Sequence, residues 1–158
     1  MKAVRHFGIV VSNLEKSLHF YKDILGLKIQ REMFEESKYI DTILNLKNTK
    51  VRTIKMSADE GNLIELLWYE SHPRKRRENN DICDIGASHP AFTVENLDYE
   101  YKRLREKGVK FNCSPQISPD GKAKVAFCHD PDGVPIELVE ELITGDMPDI
   151  SSTPLAIS

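Results

Sequence analysis

His6 opens the run His6-Phe7-Gly8-Ile9-Val10-Val11-Ser12-Asn13-Leu14, and His89 opens His89-Pro90-Ala91-Phe92-Thr93-Val94-Glu95-Asn96-Leu97. Histidine, valine, asparagine and leucine recur between them at a constant offset of 83 residues. Two glutamates recur in the same manner: Glu65 in Glu60-Gly61-Asn62-Leu63-Ile64-Glu65-Leu66-Leu67, and Glu137 in Asp132-Gly133-Val134-Pro135-Ile136-Glu137-Leu138-Val139, at an offset of 72. Each glutamate interrupts an apolar strand, where a buried, unpaired carboxylate is costly, so each calls for a partner. A lone strand histidine is ordinarily a packed or surface residue, and it is the repetition of both types that argues for a shared site. Two imidazoles and two carboxylates form a borderline-to-hard donor set for one divalent ion: nickel, cobalt, zinc, iron or manganese. The wide spacing of Cys83, Cys113 and Cys128 excludes a thiolate zinc finger.

The elements that must carry these residues also come in duplicate. After each histidine strand the apolar residues take up a helical period, Leu14, Leu18, Tyr21 and Leu25 in the first copy and Leu97, Tyr101 and Leu104 in the second. Ser12 with Glu15 has the form of a capping box, Asn96 is an N-cap, and Gly26 and Gly108 stand where a left-handed C-terminal residue is wanted. Strand-rich stretches at 51–56 and 124–128 precede the glutamate turns, with one more short strand expected before each. The pattern predicts an α+β domain over residues 1–142, made of two tandem βαβββ modules, about 1–70 and 86–142. They are expected to form a curved mixed sheet around a metal site. Alternation places His6 with Val4, Gly8 and Val10 and opposite Phe7, Ile9 and Val11, so the bulky residues pack beneath the helices and leave the histidine face open. His89 shares its face with Ala91 and Thr93 in the same way. A pseudo-twofold between modules would then bring both histidines and both glutamates to one concave surface.

Residues 71–85 read as a linker, with Pro73 and the basic run Arg74-Lys75-Arg76-Arg77. That run is either a solvated linker or a contact for a phosphate-bearing substrate tail. Residues 143–158, rich in Ser, Pro and Asp, read as a loosely held tail or a dimer arm. With 22 basic against 25 acidic residues and a formal charge of -3, the chain has no general attraction for nucleic acid or an anionic membrane. No apolar run approaches the length of a membrane span, and Met1-Lys2-Ala3-Val4-Arg5-His6-Phe7-Gly8 has no leader-like apolar stretch, so a cytoplasmic protein is expected. The odd number of cysteines offers no disulfide framework, and reduced thiols with packing roles are expected.

These segments, with Leu18-His19-Phe20-Tyr21-Lys22-Asp23-Ile24-Leu25-Gly26-Leu27 and Asp130-Pro131-Asp132-Gly133, resemble the vicinal oxygen chelate superfamily of glyoxalases, bleomycin-resistance proteins and dioxygenases over residues 3–141. The resemblance implies a metal-dependent lyase or isomerase acting on a small carbonyl or thioester substrate chelated through vicinal oxygens. It also implies a homodimer, with His6, Glu65, His89 and Glu137 as metal ligands. Proton transfer through an enediolate would be the reaction, with Glu137 the principal base and Glu65 a ligand and second shuttle. The full set is most similar to glyoxalase I. A methylmalonyl-CoA epimerase-like enzyme is the alternative, although its extra acid has no counterpart at 51–56; an extradiol dioxygenase or a non-catalytic drug-binding protein are further ones. Glutathione-using members carry an arginine where this chain has Val10 and an asparagine where it has Tyr69, so a carrier other than glutathione is expected.

Overall fold

The computed structural model describes residues 1–73 and 81–142. The basic run at 74–77 and the tail at 143–158 lie outside the described residues. The first module comprises β1 (His6–Val10), α1 (Leu14–Leu18, continued by a wider π-helical turn, His19–Ile24), β2 (Lys28–Glu35), α2 (Lys38–Leu44), β3 (Val51–Ser57) and β4 (Leu63–Tyr69). The second comprises β5 (Ala91–Thr93), α3 (Leu97–Glu106), β6 (Gln116–Ile117), β7 (Ala123–His129) and β8 (Pro135–Glu141). The α+β class and the tandem repeat are as expected. The strands make two four-stranded mixed sheets, ordered β1-β4-β3-β2 and β5-β8-β7-β6, and are not closed into one. In each, the first strand of the module pairs in parallel with the glutamate strand.

Local chemistry accounts for the helix ends. The Asn13 side chain accepts from the Lys16 amide and Asn96 from the Tyr99 amide, satisfying amides that have no intrahelical partner. The expected Ser12–Glu15 capping box does not form. Ser12 lies one residue outside the cap, and its amide and hydroxyl both donate to Asp132 of the other module. Gly26 and Gly108 have φ of 85° and 82°, a conformation that side-chain-bearing residues rarely adopt. Helix α2, between β2 and β3, has no counterpart in the second module and was not anticipated.

Both modules share one core. Ile9, Val11, Ile64 and Leu66 from the first sheet and Ala126, Cys128, Ile136 and Leu138 from the second belong to a single apolar cluster with Phe20, Tyr21, Leu97 and Leu104 of the helices. Of the cysteines only Cys128 packs; burial pushes its thiol up to about 12, so it is neither ionised nor nucleophilic near neutrality. Cys83 and Cys113 are exposed, contrary to the packing role expected of them. Among the described residues no helix is long and apolar enough to cross a membrane.

The Asp130-Pro131-Asp132-Gly133 motif joins the halves. Asp130 Oδ1 accepts from the amides of Asp132 and Val134, which sets the turn, and Oδ2 accepts from the buried Tyr21 hydroxyl at 2.9 Å. Burial raises the Asp130 pKa despite these donors, and burial followed by the Asp130 charge raises that of Tyr21. Tyr21→Phe removes a donor from a buried carboxylate and is expected to cost about 1–3 kcal/mol. Chemical denaturation checks this, and an unchanged midpoint would show that the bond contributes nothing net.

Candidate metal centre

Strand alternation delivers His6, Glu65 and Glu137 to the face of their sheet that is turned away from the shared core, whereas His89, expected on the strand, stands two residues before β5. Ile64 and Leu66 point into the core, so Glu65 between them points out; Ile136 and Leu138 do the same for Glu137. The parallel register sets Gly8 opposite Glu65 and Ala91 opposite Glu137, each two residues beyond its histidine. The small residue leaves room for the imidazole to reach across. A Cβ on Gly8 would meet Leu67 Cδ1 at 3.2 Å, so a larger residue here requires the Leu67 side chain to shift.

The histidines and glutamates therefore meet in pairs. His6 Nε2 lies 2.8 Å from Glu65 Oε2, and His89 Nε2 lies 3.3 Å from Glu137 Oε2. The pairs differ in exposure: the Glu65 side chain is 10% exposed and that of Glu137 is 24%. His6 Nδ1 is buried with no hydrogen-bond partner among the described residues, so only the carboxylate holds the ring. An imidazole and a carboxylate oxygen facing each other on the outward side of a sheet are donors that a divalent cation can engage together, each pair supplying two of the ligands such an ion needs.

The two pairs do not converge within one chain. Among the described residues no group of three or more His, Cys, Asp or Glu is placed to hold an ion. This departs from the single concave surface expected from the repeat. The reason is the common core: both sheets turn their apolar faces and helices inward, so their ligand faces look away from each other.

The neighbours on these faces were not foreseen. Lys55, in register with Glu65, sets its Nζ 3.3 Å from Glu65 Oε1. At the equivalent place in the second module stands Phe127, in register with Glu137, its ring edge-on to His89 at 5.1 Å. The only sequence signal was a cation alternating with the apolar Ile54 and Met56. Val10, on the His6 face, is 60% exposed. Tyr69 is half-buried, and its phenol is held above the ordinary value by burial and, secondarily, by the Glu65 charge.

Relatives carry the same architecture. A glyoxalase family protein from Bacillus cereus superposes with a TM-score of 0.80 at 21% identity, over 90% of this chain and 96% of that one. In sequence, the chain is 28% identical to the uncharacterised protein YaeR of Escherichia coli, covering 89% of this chain and 98% of that protein. It is 32% identical to a lactoylglutathione lyase of Schizosaccharomyces pombe over 94% of this chain, and spans about half, 51%, of that enzyme's length. A lactoylglutathione lyase of Pseudomonas aeruginosa is 27% identical, over 90% of this chain and 84% of the enzyme. Residues 3–138, nearly the whole of the duplicated unit built above, match the family model, and the chain belongs to the Glyoxalase/Bleomycin resistance protein/Dioxygenase superfamily.

Proposed function

We propose that this protein is a metal-dependent lyase or isomerase that moves a proton on a small carbonyl compound, at a site made from His6 and Glu65 of one chain and His89 and Glu137 of a second copy. The observation that carries this reading is the separation of the two half-sites. Each outward sheet face offers two donors, too few for a divalent ion, and a twofold-related copy can set a first-module face against a second-module face twice over. The lactoylglutathione lyases among the relatives support the reaction class.

When bound, the ion supplies Lewis acidity that makes a C–H beside a chelated carbonyl acidic. The chain's own residues divide the remaining work by their surroundings. Glu65 is the more buried carboxylate and Lys55 holds its Oε1, which leaves Oε2, beside His6, to serve as a fixed ligand. Glu137 has one side-chain partner among the described residues, His89, and is the more exposed of the two, so it is free to take the substrate proton and return it to the neighbouring carbon.

Val10 and Tyr69 border the first half-site with an apolar side chain and a neutral phenol, so neither of these two positions offers a cation to a peptide carboxylate. The test is a screen of metal-reconstituted protein with methylglyoxal adducts of glutathione and of other thiols, alongside methylmalonyl-CoA. Chelator-sensitive turnover is expected, with the glutathione adduct a poor substrate. Chelator-insensitive activity would overturn the metal reading, and efficient, saturable use of the glutathione adduct alone would overturn the reading of Val10 and Tyr69.

A further inference from the structure

The two half-sites are alike in their ligands and unlike in what stands beside them. Lys55 and Phe127 hold the same register position relative to Glu65 and Glu137. A lysine here needs a reason, because its side chain is only 17% exposed and partly burying an ammonium is costly unless its donors are used. It has three N–H donors, and among the described residues its one ion-pair partner is Glu65, at 3.3 Å. Arg31 on β2 is in register with Lys55, so it shares that face; it is exposed and has no ion pair among the described residues. On the other half, Phe127 is accompanied by half-buried Val125 and Val139, which are in register with each other on the same face.

Resting on the reading of a divalent ion held by His6, Glu65, His89 and Glu137, we propose that Lys55 determines substrate specificity by binding a carboxylate of the substrate beside Glu65. The substrate is then a small monoanionic oxo- or hydroxy-carboxylate whose apolar remainder lies against Phe127. Charge supports this choice. Glu65 and Glu137 together neutralise a divalent ion, so Lys55 leaves the assembled set with one positive charge, which a monoanion matches and a neutral ligand does not. Arg31, in register with Lys55, adds a second cation on that face.

The experiment measures binding to cobalt-loaded protein by calorimetry and by the cobalt visible spectrum, with two probes of nearly equal size: lactate, a monoanion, and lactamide, its neutral amide. The parent protein is expected to prefer lactate, and Lys55→Met to weaken lactate by about tenfold or more while changing lactamide little, as for a lost hydrogen bond to a charged group. Lys55→Arg should keep most of the preference, and Lys55→Gln gives a second neutral variant should the methionine disturb folding. Loss of both probes in parallel, or an unchanged lactate-to-lactamide ratio in the neutral variants with cobalt still bound, overturns the assignment of Lys55 and leaves the metal reading standing. Failure of the parent protein to take up cobalt overturns both.

Discussion

His6→Ala and His89→Ala are each expected to weaken metal binding by more than about 100-fold, since the loss of residues that merely support a ligand already reaches 10- to 100-fold. Their mixture is expected to recover part of what each has lost. If each site takes His6 and Glu65 from one chain and His89 and Glu137 from its partner, a heterodimer of the two variants has one site with both histidines removed and one with neither. Random pairing after unfolding and refolding together then restores about a quarter of the parental sites. Metal content after dialysis measures this directly, without assuming a substrate. No recovery on mixing, with dimers present, would place all four ligands in one chain and require the sheets to reorganise around the ion. Unaltered metal affinity in both single variants would remove the histidines from the site altogether.

The second large effect is expected at Glu137. Replacing it with glutamine keeps the size of the side chain and an oxygen able to coordinate, and removes its capacity to carry a proton. Turnover should fall by about 100- to 10,000-fold, the usual contribution of a general base, with metal content largely retained. Glu65→Gln should behave differently. Lys55 engages one oxygen of Glu65 and the other faces His6, so the amide would turn an N–H either to the ammonium or to the ion, and the main loss should be in metal affinity. Near-normal turnover by folded, metal-loaded Glu137→Gln would transfer the role of base to Glu65. Comparing metal affinity with turnover in the two variants separates ligand from base.

Much of this molecule was legible in its residues because the relevant information is local and stated twice. The histidine strands, the helices after them and the glutamate strands all follow from periodicity at fixed offsets. So do the asparagine cap of the second helix and the left-handed glycines, which depend on neighbours within a turn. Even the His6 face was readable, since alternation alone sets Ile9 and Val11 against it. Alternation says which face of a strand is apolar; it does not say what covers that face. That both modules bury their apolar faces in one core, and so turn their ligand pairs apart, follows only from packing between segments far apart in sequence, as does the Tyr21–Asp130 bond that ties them. Ser12 was misread for the same reason: its local pattern fits a capping box, but Asp132 from the other module is the partner it finds. Lys55 and Phe127 became visible only with the strand register, which β3 with β4 and β7 with β8 settle by the match of whole apolar faces rather than by any single residue. The sequence by itself determined which side chains this protein has available for chemistry; the tertiary structure decided which of them stand together in one chain.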